Sequence, residues 1–579
     1  MKHRMHGVIM SAWLLGSLAA QAAAPTDVER LHQYRRTFHT TGGELTNFGA
    51  TGCQGWFYWD RFFVCTVDTG SPADGILQTG DYIIKANGES FPGGEDPRPT
   101  FGRALTEAEA KGGKLRLRII HGAEERDVVV PLKPLGAYAA AWPFGCAKSK
   151  QIYDDAISYV MAHQSADGTF GGPWSTAHDG LLLLTSDKPE YVEAARRAAY
   201  GRMDGSLGAE YHVWTFGYST LLLAEYYLRT GDSAVLPSLQ KFGNYLSSSQ
   251  AKSGGWGHNS AYYGIVQGYG EVNQAGIPCF LSMILLREAG IEVDAKTFQR
   301  SVDFFGSFAG AGCMHYGDGF PWTGEGENGL NAAGAIAFNL LGDTETMKEY
   351  AHNGARAFYL TEGCHTSSYW PHVWAPIGAR LATDELYQRF MKEQAWYYDL
   401  CRRWDGSIVY IPHPENFMVG GGLGSGPVWP TGGYGLVYAM PTKSLRILNA
   451  KPGVFGRPLA PTLEPVRNLF KEKRWSDFDA AMAQWGKDNH SAADKLDAAD
   501  LLAARARTRD HLAWVTQQVR DALAQKGDLY KARVMLAAAE RLNGAKLEFD
   551  DAARAALQKG VCNPAAFALP LALTIEKNK

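Results

Sequence analysis

Gly254-Gly-Trp-Gly-His258, Gly268-Tyr-Gly-Glu-Val-Asn-Gln-Ala-Gly276, Tyr316-Gly-Asp-Gly319 and Gly326-Glu-Asn-Gly-Leu-Asn331 are the passages that decide the fold. Two Gly-rich loops carry His258, Tyr269, Glu271, Asn273, Gln274, Tyr316, Asp318 and Asn328, and each loop runs into an apolar, small-residue helix. Loops so loaded with polar and aromatic groups, set before helices at similar intervals, predict one shared cavity at one end of a helical barrel. The same pattern extends outward. Six apolar segments read as inner helices: His178 to Leu184, Trp214 to Tyr227, Asn273 to Glu288, Asn328 to Leu341, Trp374 to Leu386 and Gly432 to Met440. Their starts lie roughly 35 to 60 residues apart, enough for a helix pair with its loops. Related wording recurs between them, as in Gln164-Ser-Ala-Asp-Gly-Thr-Phe-Gly171, Gln250-Ala-Lys-Ser-Gly-Gly-Trp-Gly257 and Arg403-Trp-Asp-Gly-Ser407. Six helical hairpins closed in a ring make an α/α toroid.

Upstream, Phe62 to Val67 and Leu115 to Ile120 read as strands, with a helix from Ala104 to Lys111 and a closing strand from Asp127 to Leu132. The turn Gly70-Ser-Pro-Ala-Asp-Gly75, the strand opening Gly80-Asp-Tyr-Ile-Ile84 and the hairpin Asn87-Gly88 resemble a bacterial PDZ domain. That resemblance implies capture of a peptide C-terminus by strand addition, at a loop from Gly49 to Trp56, with Gly55, Trp56 and Phe57 as the peptide-binding residues. Downstream of Lys451, five amphipathic helices are expected: Trp475 to Trp485, Ala492 to Thr508, Leu512 to Gln525, Tyr530 to Leu542 and Asp550 to Lys559. The fold class is thus multidomain α+β: a PDZ-like β domain (46–136), a linker (137–150), the toroid (151–450), a second linker (451–461) and a C-terminal helical array (462–579).

At 579 residues the chain is too long for one core. A net charge of −3 gives no basic field for nucleic acid. Lys2, His3 and Arg4, the apolar run Val8 to Leu18 and the small residues of Ala20-Gln-Ala22 form a signal peptide over 1–22, followed by a lead to residue 45. A periplasmic or secreted protein is expected, with no transmembrane segment. The eight Cys then meet an oxidising compartment, where Cys53 and Cys65 could bridge. Cys313-Met-His315 and Cys364-His365 offer thiolates and imidazoles of the kind that hold zinc, but no metal and no cofactor is assigned.

The repeat loops resemble those of squalene-hopene cyclases and protein prenyltransferase β-subunits. The D-x-D-D cluster of a cyclase is missing, so the resemblance implies the fold and not that activity. Taken together, Trp256-Gly-His258, Gly268 to Gln274, Tyr316-Gly-Asp-Gly319, Cys364-His-Thr366, Arg402-Arg-Trp-Asp-Gly-Ser407 and Cys146-Ala-Lys-Ser149 resemble an exported bacterial family known as a domain of unknown function. The likeness covers about Asn47 to Leu448. Gly319 stands where that family's pattern has His.

For chemistry, Asp318 and Glu271 are the candidate carboxylates, with His258 and His365 as candidate proton carriers. Trp256, Tyr269, Asn273, Gln274, Tyr316, Trp322, Asn328, Tyr369 and Trp374 are the candidate ligand-binding residues. Asp167 and Asp405, in Asp-Gly turns, are expected to cap backbone. A glycan or other small ligand fits such a cavity, and glycoside hydrolase or polysaccharide lyase chemistry is one expectation. A non-catalytic scaffold of the cell envelope is the other.

Overall fold

The computed structural model describes residues 45–58, 60–93, 95–205, 212–266, 270–317, 328–362, 369–411, 428–506, 508–526, 531–536 and 539. The expected signal peptide, Tyr269, Asp318, Trp322, Cys364, His365 and the helix at 550–559 lie outside them, as does the side chain of Asn328. Among the described residues no helix is long and apolar enough to cross a membrane.

Strands β1 (Thr46–Asn47), β2 (Cys53–Tyr58), β3 (Arg61–Val67), β4 (Tyr82–Ala86), β5 (Glu89–Ser90), β6 (Lys114–His121) and β7 (Glu124–Pro131) form an antiparallel sheet ordered β1-β2-β3-β4-β6-β7, with β5 on β4. Alternation along β2 and β3 puts Phe57, Phe62 and Val64 inside, where Phe62 packs edge-on against Phe48 and Phe91. Helix α1 (Arg98–Ala110) covers this face. It begins earlier than the periodicity predicts, because the Asp96 carboxylate accepts the Arg98 backbone N–H at 2.9 Å.

Two expectations are corrected here. The segment from Gly49 to Trp56 is not an open loop: it is a short 3₁₀ turn followed by β2, so Gly55, Trp56 and Phe57 are strand residues. Cys53 and Cys65 are not bridged. Cys53 lies opposite Val67, while Cys65 falls at the irregularity where the pairing jumps from Thr66–Gln54 to Val64–Gly55. A two-residue offset leaves about 7 Å between such positions, beyond the reach of a disulfide.

Helix α2 (Ala147–Ala162) leads into the helical domain. There α3 (Pro173–Leu184), α5 (His212–Thr230), α7 (Asn273–Glu288), α9 (Asn328–Leu341), α11 (Tyr369–Ala379) and α13 (Val428–Ala439) each pack on the next, and α13 packs back on α3. The contacts therefore close into a cycle. Between them lie α4 (Pro189–Arg202), α6 (Leu236–Ser248), α8 (Ala295–Ser307), α10 (Thr344–Arg356) and α12 (Asp384–Cys401). Close approach inside the cycle depends on missing side chains. A Cβ on Gly378 of α11 would sit 2.5 Å from the Ala332 Cβ of α9. The expected helix from Trp374 to Leu386 is corrected: α11 starts at Tyr369 and ends at Ala379, and Thr383 caps a new helix by accepting the Leu386 N–H. Pro371 causes no break, because first-turn N–H groups have no helical acceptor to lose.

The sheet domain is welded to the cycle. One continuous core runs from Phe48 to Leu448, and α1 lies on α12, where a Cβ on Gly102 would meet the Trp396 carbonyl oxygen at 2.5 Å. Beside that contact four buried charges alternate. Lys148 lies 2.8 Å from both Glu109 and Asp399, and Arg402 lies 2.6 Å from Glu109 and 2.9 Å from Asp399. Tyr138 donates to Asp399 at 2.9 Å, and the Thr106 hydroxyl also donates to it. Burial alone would push the Asp399 carboxyl up, but Lys148 and Arg402 outweigh it and hold it below the usual carboxylate range.

After Leu448, α14 (Glu464–Lys471), α15 (Trp475–Trp485), α16 (Ala492–Arg505) and α17 (Arg509–Gln525) enclose a second core around Leu463, Phe478 and Leu501. Helix α14 was not foreseen.

At the C-terminal end of α5, buried Glu225 accepts the backbone N–H groups of Arg446 and Ile447 at 2.8 and 2.9 Å. Burial raises its carboxyl to about 7, against the pull of those two N–H groups and the Arg446 charge. The folded chain thus keeps a proton that the unfolded chain releases. This contribution is complete below the ordinary carboxylate pKa and is lost as pH rises through 7. Glu225→Gln should flatten the fall in stability between about pH 5 and 8, a change of roughly 3 kcal/mol. Denaturant unfolding across that range measures it; parallel pH profiles for parent and variant would refute it.

Candidate functional site

The starts of the cyclic helices share one end, because aromatic residues from three of them touch. Trp174 of α3, Trp214 of α5 and Trp370 of α11 have ring centroids 5.3 to 6.3 Å apart. One turn deeper, His178 lies 4.9 Å from Tyr218 and 5.7 Å from Trp370, and Tyr369 lies 5.8 Å from His178. Apolar, Gly-containing helices bring these rings together, so the end of the cycle is walled by aromatic faces.

Polar atoms sit within that wall. The His178 Nδ1–H donates to the Trp174 carbonyl at 2.9 Å, which leaves Nε2 as a bare lone pair. Nε2 is buried with no hydrogen-bond partner, as are both amide atoms of Gln274. Burial lowers the His178 pKa to about 4, so the imidazole is neutral across physiological pH. Next to it, Asp179 is fully buried against α13, where a Cβ on Gly432 would come within 2.1 Å of the carboxylate. Burial pushes its carboxyl well above the usual range, offset in part by the Gly432 backbone N–H. The pair therefore sets a neutral acceptor beside a carboxyl whose proton affinity burial has raised. His258 extends the set: its Nδ1 accepts the Trp214 indole N–H at 2.9 Å, which requires the neutral ring, and burial lowers its pKa accordingly.

The loops foreseen as cavity wall are tied across these helix starts. The Val213 N–H donates to the His258 carbonyl, Val272 N–H to Trp256, Asn273 N–H to Tyr316, and Met314 N–H to the Asn331 side chain. Glu271 pairs in an antiparallel bridge with Gly257, one residue from His258, and accepts the Ser253 hydroxyl at 2.6 Å. Asn273 clamps the next loop, its amide donating to the His315 and Gly317 carbonyls at 2.8 and 3.1 Å. Half-buried Tyr316 lies in that clamped loop.

The candidate residues thus divide. Tyr369 and His258 belong to the aromatic end through their ring contacts with His178 and Trp214, Trp374 lies fully buried in α11, and Gln274 stands in the first turn of α7. Trp256 faces away: it is fully buried, stacked on Phe305, with its indole N–H donating to Leu246. Asn273 is spent on its loop. In the sheet domain, Phe57 is core and Trp56 stacks on Phe63, while β1 pairs with β2 at Gln54 and Gly55. Cys313 and His315 approach at 3.9 Å, and no group of three metal-ligating side chains occurs among the described residues. Asp167 and Asp405 accept the backbone N–H two residues on, from Thr169 and Ser407, the turn role expected of them.

Sequence reasoning passed over Trp174, His178, Asp179, Trp214, Tyr218 and Trp370 as site residues. The available signal was a His-Asp pair inside Trp174-Ser-Thr-Ala-His-Asp-Gly-Leu181, a stretch otherwise fit only for core.

Residues 149–448, over half the chain, match a family described as a domain of unknown function (DUF6288). The chain belongs to that family. The DUF6288 domain spans the whole helix cycle, and the sheet domain lies before it. No curated protein and no solved structure matches the chain. Arg402 within the matched residues and Lys148 just before them supply the buried charges that join the DUF6288 domain to the sheet.

Proposed function

We propose that this chain is an exported, glycan-active protein. Its DUF6288 domain is read as an α/α toroid whose aromatic end holds a sugar, its sheet domain as PDZ-like, and its C-terminal helices as a docking array. One observation carries the ligand site: buried hydrogen-bonding atoms without protein partners, His178 Nε2 against the Tyr218 and Trp370 rings and the Gln274 amide in the first turn of α7. Each such atom costs about 1–3 kcal/mol unless something from outside the chain bonds it. Sugar rings match that demand, with C–H faces for the indoles and hydroxyls for the lone pair and the amide.

Within the site, Asp179 is the carboxyl that keeps its proton and is assigned as the general acid. Glu271 and Asp318, the carboxylates foreseen in the sequence, are proposed as its partners. The cyclic contacts of α3, α5, α7, α9, α11 and α13 support the toroid reading. The topology of the sheet supports the PDZ-like one.

The second reading, a non-catalytic scaffold, is favoured by an exposed tip. Tyr262, Tyr263 and Ile265 are 66%, 79% and 58% exposed on the loop before α7. A turnover screen of the mature protein against glycans and peptides separates the two. Glycan cleavage that falls at least 100-fold in Asp179→Asn and in Asp318→Asn or Glu271→Gln is expected. Glycan binding without turnover by any preparation would leave the scaffold reading.

A further inference from the structure

A cavity of about 410 Å³ opens at the other end of the helix cycle. Helix α11 runs from the aromatic site at Tyr369 to this cavity at Ile377 and Arg380, a distance of roughly 15 Å along its axis. The two sites are therefore separate.

The floor is apolar: Ile377, Met440 and Leu448 are all buried, and Phe144 of the linker forms a half-buried wall. The rim is polar and cationic, with Arg380, Lys443 and Asn449. The Arg380 guanidinium lies over the Phe144 and Tyr387 rings and gives one N–H to Asp384 at 2.8 Å, so its charge is largely balanced. Lys443 is exposed and forms no ion pair with a described residue. The rim therefore carries about one uncompensated positive charge above an apolar pocket of the size that small ligands fill.

Two rim residues also hold unusual backbone. Lys443 and Asn449 have φ of 48° and 68°, two of the few left-handed non-glycine residues in the described chain. Asn tolerates that region, whereas Lys does so at a cost of order 1 kcal/mol where Gly is the common choice. Lys443 is thereby a cationic residue of the cavity lining.

We propose that this cavity binds a small amphipathic monocarboxylate, its apolar body on Ile377, Met440 and Leu448 and its carboxylate between Lys443 and Asn449. Calorimetric titration of the full-length mature protein with octanoate and with 1-octanol tests this, using Lys443→Asn as the variant. Asn removes the charge and suits the left-handed backbone, so the variant should fold at least as well as the parent. Expected are saturable octanoate binding by the parent, at least tenfold weaker octanoate binding by Lys443→Asn, and equal 1-octanol binding by both. Octanoate binding that is absent in the parent at millimolar concentration, or unchanged in the variant, would overturn the proposal.

Discussion

Lys148→Met is expected to destabilise the protein by about 3–5 kcal/mol and to loosen the sheet domain and the helix cycle together. Lys148 is fully buried and stands 2.8 Å from two carboxylates, Glu109 on α1 and Asp399 on α12. Removing it leaves two buried carboxylates to share Arg402. The size of the effect comes from the stranded charge rather than from the net value of the ion pairs, since desolvation cancels much of the attraction between buried partners. The double variant Lys148→Met/Glu109→Gln should therefore recover a large part of the loss. Asp399 adds a pH dependence. Its folded pKa is depressed, so its contribution is held above the ordinary carboxylate pKa and lost as pH falls through the folded value. Denaturant unfolding followed by near-ultraviolet circular dichroism measures both effects. A loss below about 1 kcal/mol, or a sheet domain that survives the cycle as a separate transition, would contradict the shared core.

The second large effect is a gain. His178→Phe should raise stability in acid by about 3 kcal/mol relative to the parent. Burial lowers the folded His178 pKa to about 4 from the 6.5 of a free imidazole. The unfolded chain therefore binds a proton that the folded chain refuses, and parental stability falls as pH drops from 6.5 towards 4. Phe keeps an aromatic ring against Tyr218 and Trp370 and cannot take the proton. It loses the hydrogen bond to Trp174, worth about 1 kcal/mol, but also removes a buried lone pair without a partner. At neutral pH the two nearly cancel. Glu225 titrates with the opposite sign over an overlapping range, so the paired single variants are needed to see either slope. An acid stability profile unchanged by His178→Phe would show that the imidazole is solvated.

Much of the helical domain is legible in its apolar runs. The segments from Asn273 to Glu288 and from Asn328 to Leu341 coincide with α7 and α9, because Gly-rich loops punctuate them sharply. Near Trp374 the reading slips: one helix from Trp374 to Leu386 is expected, whereas α11 spans Tyr369–Ala379 and a second helix begins after its cap at Thr383. The site was harder to read. The Glu271 loop is visible as a cluster of polar residues in one segment. His178 and Asp179 are not, because what distinguishes them is burial by Trp370, Tyr218 and Gly432, residues far away in sequence. The motif residues Lys148 and Arg402 show the reverse case. They resemble a functional signature, yet their side chains are consumed in holding two domains together.

The site itself is tested most directly by calorimetric binding of an oligosaccharide library to the parent and to His178→Phe at neutral pH, where their stabilities should match. A glycan that binds the parent and loses at least 100-fold in affinity for the variant is the predicted result. No glycan binding by the parent, or equal binding by both, would contradict the assignment of the aromatic end as the ligand site.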